Sequence, residues 1–129
     1  MTDNKYVIDS SAWIEYFLGS SPGEKVRKIV DNKKNVVITP NVVYAEVVSK
    51  LLRTGIYERE HSSLIQGLSV SVPETPLIYI KAGHNHAQMR EKDKGVSLAD
   101  AIILTLAQEQ DAQIVTKDNH LKGNKTIMI

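Results

Sequence analysis

The stretch KYVIDSSAWIEYFL, residues 5–18, passes from a β-rich run to a helical pattern in one step, with an aspartate at the junction. KYVID reads as a strand and SAWIEYFL as a helix, with almost no chain left over for a loop. The same succession recurs at VVIT (36–39) and PNVVYAEVVSKLLRTG (40–55). There Pro40 suits the first helical position, Thr39 can cap it, and Gly55 can end it. Further strands are expected at SVSV (69–72), AQIVT (112–116) and TIMI (126–129), and further helices at GEKVRKIVDN (23–32), 57–67, 76–94 and 98–110. Strand alternating with helix predicts an α/β fold: a parallel sheet built by right-handed crossovers and covered on both faces. Its strands are nearly continuous apolar runs, as strands buried on both sides must be.

A chain of 129 residues with 42% apolar side chains is sized for one core, so residues 1–129 are expected to form a single domain. Sixteen Lys and Arg against fifteen Asp and Glu leave a net charge of +1, too little to attract a polyanion over the whole surface. Contacts to nucleic acid would have to come from clusters such as EKVRKIVDNKK (24–34) or Lys117, Lys122 and Lys125, which read equally as solvated faces. The absence of cysteine excludes disulfides, thiolate metal sites and a cysteine nucleophile. MTDNKYVID has no apolar signal core, and no apolar run approaches the roughly 20 residues that span a bilayer. A cytoplasmic protein with no membrane association is expected.

Four carboxylates stand out by position. Asp9 closes the first strand, where it can cap the next helix or face a ligand; Asp118, in IVTKDNHL, can make an Asx-turn or do the same. In open α/β sheets, ligands bind beyond the carboxyl ends of the strands, where both residues fall. Glu46 is a lone acid among Val42, Val43, Tyr44, Ala45, Val47 and Val48, so a cation should face it, and Lys50 or Arg53 could supply one. Asp100 is the only charged residue of GVSLADAIILTLAQ (95–108); with Ser97 it has the spacing of a capping box.

Carboxylates gathered at one cleft repel each other, which shifted pKa values or a bound divalent cation can resolve. An all-oxygen set favours Mg²⁺ or Mn²⁺, which suit phosphoryl chemistry by activating water and neutralising phosphate. Ser10, Ser11 and Thr116 flank the acids and can orient them, or serve as turn and cap residues. His84 and His86, spaced i and i+2 on a predicted helix, do not share a face and are not expected to bind metal. His120, two residues after Asp118, reads as an exposed loop histidine or a phosphate contact.

Assembled, these residues resemble the PIN-domain family, and within it the VapC-type ribonuclease toxins of toxin and antitoxin pairs. The resemblance runs through VIDSSAWIEYF (7–17), TPNVVYAEVVSKLLR (39–53) and KGVSLADAIILTLAQEQDAQIVTKDNHL (94–121). It implies a three-layer α/β/α fold with about five parallel strands in the order 3-2-1-4-5, and an acidic pocket that binds Mg²⁺ or Mn²⁺ and hydrolyses RNA. By position, the family's acids fall on Asp9, Glu46, Asp100 and Asp118, with Asp9, Asp100 and Asp118 as metal ligands and Glu46 as ligand or proton acceptor. The flanking hydroxyls fall on Ser10 and Thr116.

Leu121 stands where an aromatic is common, and His120 where some members carry a further acid. The resemblance also implies a homodimer and an inhibitory protein antitoxin. The helix expected at 98–110, apolar nearly all round, must be covered on several faces, by its own chain or by a second copy. Two other readings keep the same residues: a PIN nuclease of RNA processing without an antitoxin, and a non-catalytic module that binds a partner's basic segment. A phospho-signalling receiver, which also ends its first strand on an aspartate, would need a second adjacent acid that this sequence lacks.

Overall fold

In the computed structural model, which describes residues 4–123 and 125–129, the sheet is parallel throughout, with β1 (Lys5–Ile8) inside it. One side of β1 pairs with β2 (Val36–Ile38) and the other with β3 (Gln113–Thr116), which pairs in turn with β4 (Thr126–Met128). Six helices connect and cover the strands: α1 (Ser10–Leu18), α2 (Ser21–Val30), α3 (Asn41–Arg53), α4 (Arg59–Leu68), α5 (Pro76–Lys92) and α6 (Leu98–Gln110). The α/β class follows as expected. Among the described residues no helix is long and apolar enough to cross a membrane.

The strand count differs from the expected five. SVSV (69–72) contributes only a single parallel bridge, Val70 to Ile38, beside β2, so the ladder order is β2-β1-β3-β4. That bridge stands where the third strand of a 3-2-1-4-5 order would lie. It goes no further because the segment is at the sheet edge, its alternate residues are serines rather than core side chains, and Pro73 has no amide to donate.

The start of α3 departs from expectation as well. Pro40 is the residue before the helix rather than its first, and the Thr39 hydroxyl does not cap it. Thr39 instead accepts the Trp13 indole N–H at 3.1 Å and pairs with the Ser69 hydroxyl at 2.7 Å, while the Glu74 carboxylate takes the Asn41 amide at 2.8 Å. Gly55 does end the helix: at φ +76° it lets its own amide reach Leu52 O and the Ile56 amide reach Leu51 O.

Trp13, Val7, Ile8, Val43, Val47, Leu51 and Ile114 are buried in one core between the sheet and its helices. Burying a side chain of this size stabilises the fold by about 1.5–3 kcal/mol. A smaller cluster of Ile78, Ala82, Ile102 and Leu106 joins α5 to α6. Most of the apolar surface of α6 is thereby covered within the chain: Ile102 and Leu106 face α5, and Ile103 and Ala107 face the main core, while Leu98 at its start stays exposed.

Candidate active site

The register of β1 against β3 sets Ile8 opposite Val115, so the next residues on both strands, Asp9 and Thr116, arrive together at the carboxyl edge. The Asp9 amide donates to Val115 O at 3.0 Å, continuing the ladder by one bond. Asp9 then precedes α1, and both its oxygens are held. Oδ1 accepts the Ser10 amide at 2.7 Å; Oδ2 accepts the Thr116 hydroxyl at 2.6 Å and the Ser11 hydroxyl at 3.1 Å. Thr116, itself fully buried, accepts the Asp118 amide at 2.9 Å, so one hydroxyl joins the two acid-bearing turns. Ser11 also accepts the Lys117 amide at 3.0 Å.

Asp100 arrives at this edge from the first turn of α6. Its Oδ2 accepts the Ser97 amide at 2.9 Å while Ser97 Oγ accepts the Asp100 amide at 3.0 Å, which completes the expected capping box. Asp118 Oδ1 accepts the His120 amide at 2.9 Å, opening a short 3₁₀ turn at Asn119–Leu121. Cap, turn and capping box are thus all present. The same local geometry turns the three acids toward one another.

Burial pushes the Asp9 carboxyl above its ordinary range, against the bonds from Thr116, Ser10 and Ser11, and the Asp118 charge adds to the rise. Asp100 is raised by burial too; the Ser97 amide opposes the rise and the neighbouring Asp118 carboxylate reinforces it. Glu46, on the second turn of α3, is raised by burial first, then by the charges of Asp9, Asp100 and Asp118, with the Ser10 hydroxyl moderating the effect. Glu46 thus feels all three aspartates, and Asp118 acts on both Asp9 and Asp100.

Neither Lys50 nor Arg53 takes the role of cation to Glu46. Arg53 Nε donates to Ser49 on the same helix, and Glu46 Oε1 is buried with no hydrogen-bond partner. Lys50 and Arg53 line instead, with Lys117, a groove of about 690 Å³ between α1 and α3 that opens beside Ser10 and Glu46. Its apolar wall is Ile14, Leu18, Val42 and Ala45. The positions i+4 and i+7 from an acid could have been read as one helix face from the sequence; that they border a groove could not. The basic run at 24–34 lies elsewhere, with Arg27 bridging Glu24 and Asp31 and covering the Tyr16 ring.

His86 Nε2 meets Val96 O at 3.2 Å, a structural contact. His120 is exposed at the cleft rim, its Nδ1 2.5 Å from Asp93 Oδ2. Leu121 is buried in the main core, so the smaller side chain still packs there.

The PIN domain family model matches residues 6–125. The chain belongs to the PIN domain family. Among proteins of curated function, none matches the sequence significantly. Solved structures that share this fold include the following three. A protein from Pyrobaculum aerophilum is 17% identical with a TM-score of 0.70, over 99% of this chain and 90% of its own. A toxin–antitoxin complex from Klebsiella pneumoniae is 14% identical with a TM-score of 0.68, over 95% and 96%. VapC20 of Mycobacterium tuberculosis, a sarcin–ricin loop cleaving toxin, is 17% identical with a TM-score of 0.65, over 88% and 90%.

In this PIN domain the acidic cleft fits a hard divalent cation by its chemistry. Its donors are all carboxylate and hydroxyl oxygens, three of its acids are pushed up by burial and mutual charge, and one buried carboxylate oxygen lacks a partner. The fit is one of donor type and charge: among the described residues no three acids or histidines stand as a finished ligand set.

Proposed function

We propose that the protein is a metal-dependent endoribonuclease that hydrolyses RNA phosphodiester bonds, acting as the toxin of a toxin–antitoxin pair. The observation that carries this reading is the buried Glu46 Oε1, without a hydrogen-bond partner, on a carboxyl that feels the charges of Asp9, Asp100 and Asp118. A purely structural acid would be paired.

Asp9, Asp100 and Asp118 are the residues that would hold Mg²⁺ or Mn²⁺, and Ser10 and Thr116 orient them. The ion, when bound, neutralises phosphate charge and lowers the pKa of water. Glu46 is suited to take the proton of the attacking water on Oε1, because its surroundings favour the protonated carboxyl. Lys50 and Arg53, in the groove beside Glu46, supply positive charge for the phosphates of a bound strand, which an acidic cleft alone would repel.

An antitoxin partner is supported by the fold shared with the Klebsiella toxin–antitoxin complex, and the apolar wall of the α1–α3 groove offers a peptide something to bury. A homodimer is supported by the exposed Leu77 and Ile80 on α5. The test is incubation with total cellular RNA in Mg²⁺, Mn²⁺ or EDTA, beside Asp100→Asn, with mapping of new 5′ ends. Cleavage that needs the cation and disappears in the variant is expected; undiminished cleavage in EDTA overturns the reading.

A further inference from the structure

Two loops carry the acids that lie closest together in charge. The α5–α6 connection leads through Ser97 into the turn of Asp100, and the loop after β3 carries Asp118. Besides the contact between the two carboxyls themselves, they are joined beyond the cleft by Asp93 and His120. Asp93 uses one carboxylate oxygen, Oδ1, to accept the Gly95 amide at 3.1 Å and the other, Oδ2, to meet His120 Nδ1 at 2.5 Å. The His120 ring lies directly on Gly95: a Cβ there would stand 2.9 Å from Cε1 and 3.2 Å from Nε2. From His120 the connection continues through its amide to Asp118 Oδ1 at 2.9 Å. From Gly95 it continues through buried Val96 to Ser97, whose amide holds Asp100 Oδ2.

An exposed ion pair of this kind adds little to global stability. Its partners are 27 residues apart in sequence, a Cβ at Gly95 would push the ring off its seat, and each end leads directly to a cleft carboxylate. We propose that the Asp93–His120 pair, seated on Gly95, is a clasp that fixes the separation of the Asp100 and Asp118 carboxylates. Asp93 and His120 are then positioning residues of the cleft, and Gly95 is the flat seat that lets them meet. The functional consequence rests on the reading of the cleft as a cation site; the clasp itself does not.

The experiment compares the full chain with Gly95→Ala, His120→Gln, Asp93→Asn and the Asp93→Asn/His120→Gln double variant. Two readouts are taken: Mn²⁺ binding by calorimetry without RNA, and amide hydrogen exchange of residues 96–100 and 117–122. Each single change is expected to weaken Mn²⁺ binding by about 10–100-fold, as loss of an orienting contact does. The double variant is expected to lose no more than the worse single one. Exchange rises in both loops together while the melting temperature stays near that of the parent.

Gly95→Ala is the decisive member because it removes no charge and no hydrogen-bonding side chain. Unchanged exchange in both loops of Gly95→Ala and of the double variant overturns the clasp, as do strictly additive losses. If the parent itself fails to bind Mn²⁺, the nuclease reading fails, while paired exchange of the two loops still decides the clasp. If one variant unfolds, the remaining two single changes carry the same comparison.

Discussion

At the start of α6 the Asp100 carboxylate holds the Ser97 amide at 2.9 Å, whereas in the second turn of α3 the Glu46 Oε1 is buried with nothing to bond. The first acid stands where a helix would accept one for its own sake: it satisfies an orphan amide and complements the helix dipole. The second stands where no local rule asks for an acid, among valines, within reach of three like charges. The difference separates what the fold tolerates from what it sustains at a cost. Carboxylates at element ends can serve structure and chemistry together, whereas a half-buried one in mid-helix has no cap or turn to account for it.

The largest test of this contrast is the loss of a proposed ligand. Asp9→Asn and Asp100→Asn are each expected to reduce RNA cleavage by about 10²-fold or more while the circular dichroism spectrum is unchanged. Asn retains an acceptor oxygen at both helix starts, so the thermal midpoint moves by only a few degrees, equivalent to about 1 kcal/mol or less. A large loss of fold in Asp100→Asn would make the cap the residue's main role and erase the contrast.

Glu46→Gln is expected to reduce cleavage comparably yet to raise the thermal midpoint, by about 1 kcal/mol, because it removes a charge that burial and three neighbours oppose. Differential scanning fluorimetry in EDTA reads this directly. A lowered midpoint would mean that the Ser10 hydroxyl's support of the Glu46 carboxylate outweighs the charges set against it. A rise at Glu46 beside a near-unchanged midpoint at Asp100, where the weakened cap offsets the removed charge, is the sharpest form of the comparison.

A smaller effect is expected at Thr116, whose hydroxyl supports Asp9 and the Asp118 turn at once. Thr116→Val keeps the shape of the buried side chain and is expected to cost about 10-fold in cleavage. Unfolding by denaturant should register about 1 kcal/mol for the lost hydrogen bonds.

The smallest effect is a dependence of stability on pH. Asp9, Glu46 and Asp100 are all raised from ordinary values of 3.8, 4.5 and 3.8. Above those values the folded chain holds more protons than the unfolded one, so these groups make stability fall as pH rises through the window toward their folded values. Denaturant midpoints measured from about pH 4.5 to 7 should therefore show a downward contribution that shrinks in Glu46→Gln and flattens when Mn²⁺ is added. An unchanged slope in the variant would remove Glu46 from the coupled set.

Local signals carried much of this structure into view. The helix expected at 98–110 has those limits, because a capping box starts it and Asp111, at φ 53°, ends it. The positions of Asp9 and Asp118 followed from strands that run straight into turns. Features that depend on distant pairing stayed hidden. SVSV has a plausible strand pattern, yet only Val70 finds a partner on β2. Thr39 looks like a cap in sequence, yet it is claimed by Trp13, 26 residues away. Lys50 and Arg53 looked like partners for Glu46, and only the packing of α1 against α3 sends them to the groove. Nothing in the intervening sequence announces that Asp93 reaches His120.

Trp13 is the sole tryptophan of the chain, is wholly buried, and donates its backbone amide to Asp9 O at 3.1 Å as its indole donates to Thr39. The protein thus contains a built-in optical probe one helical turn from its first acid. Intrinsic fluorescence can follow the cleft as ions, inhibitors or partner segments are titrated, without any label and without waiting for a substrate to be found.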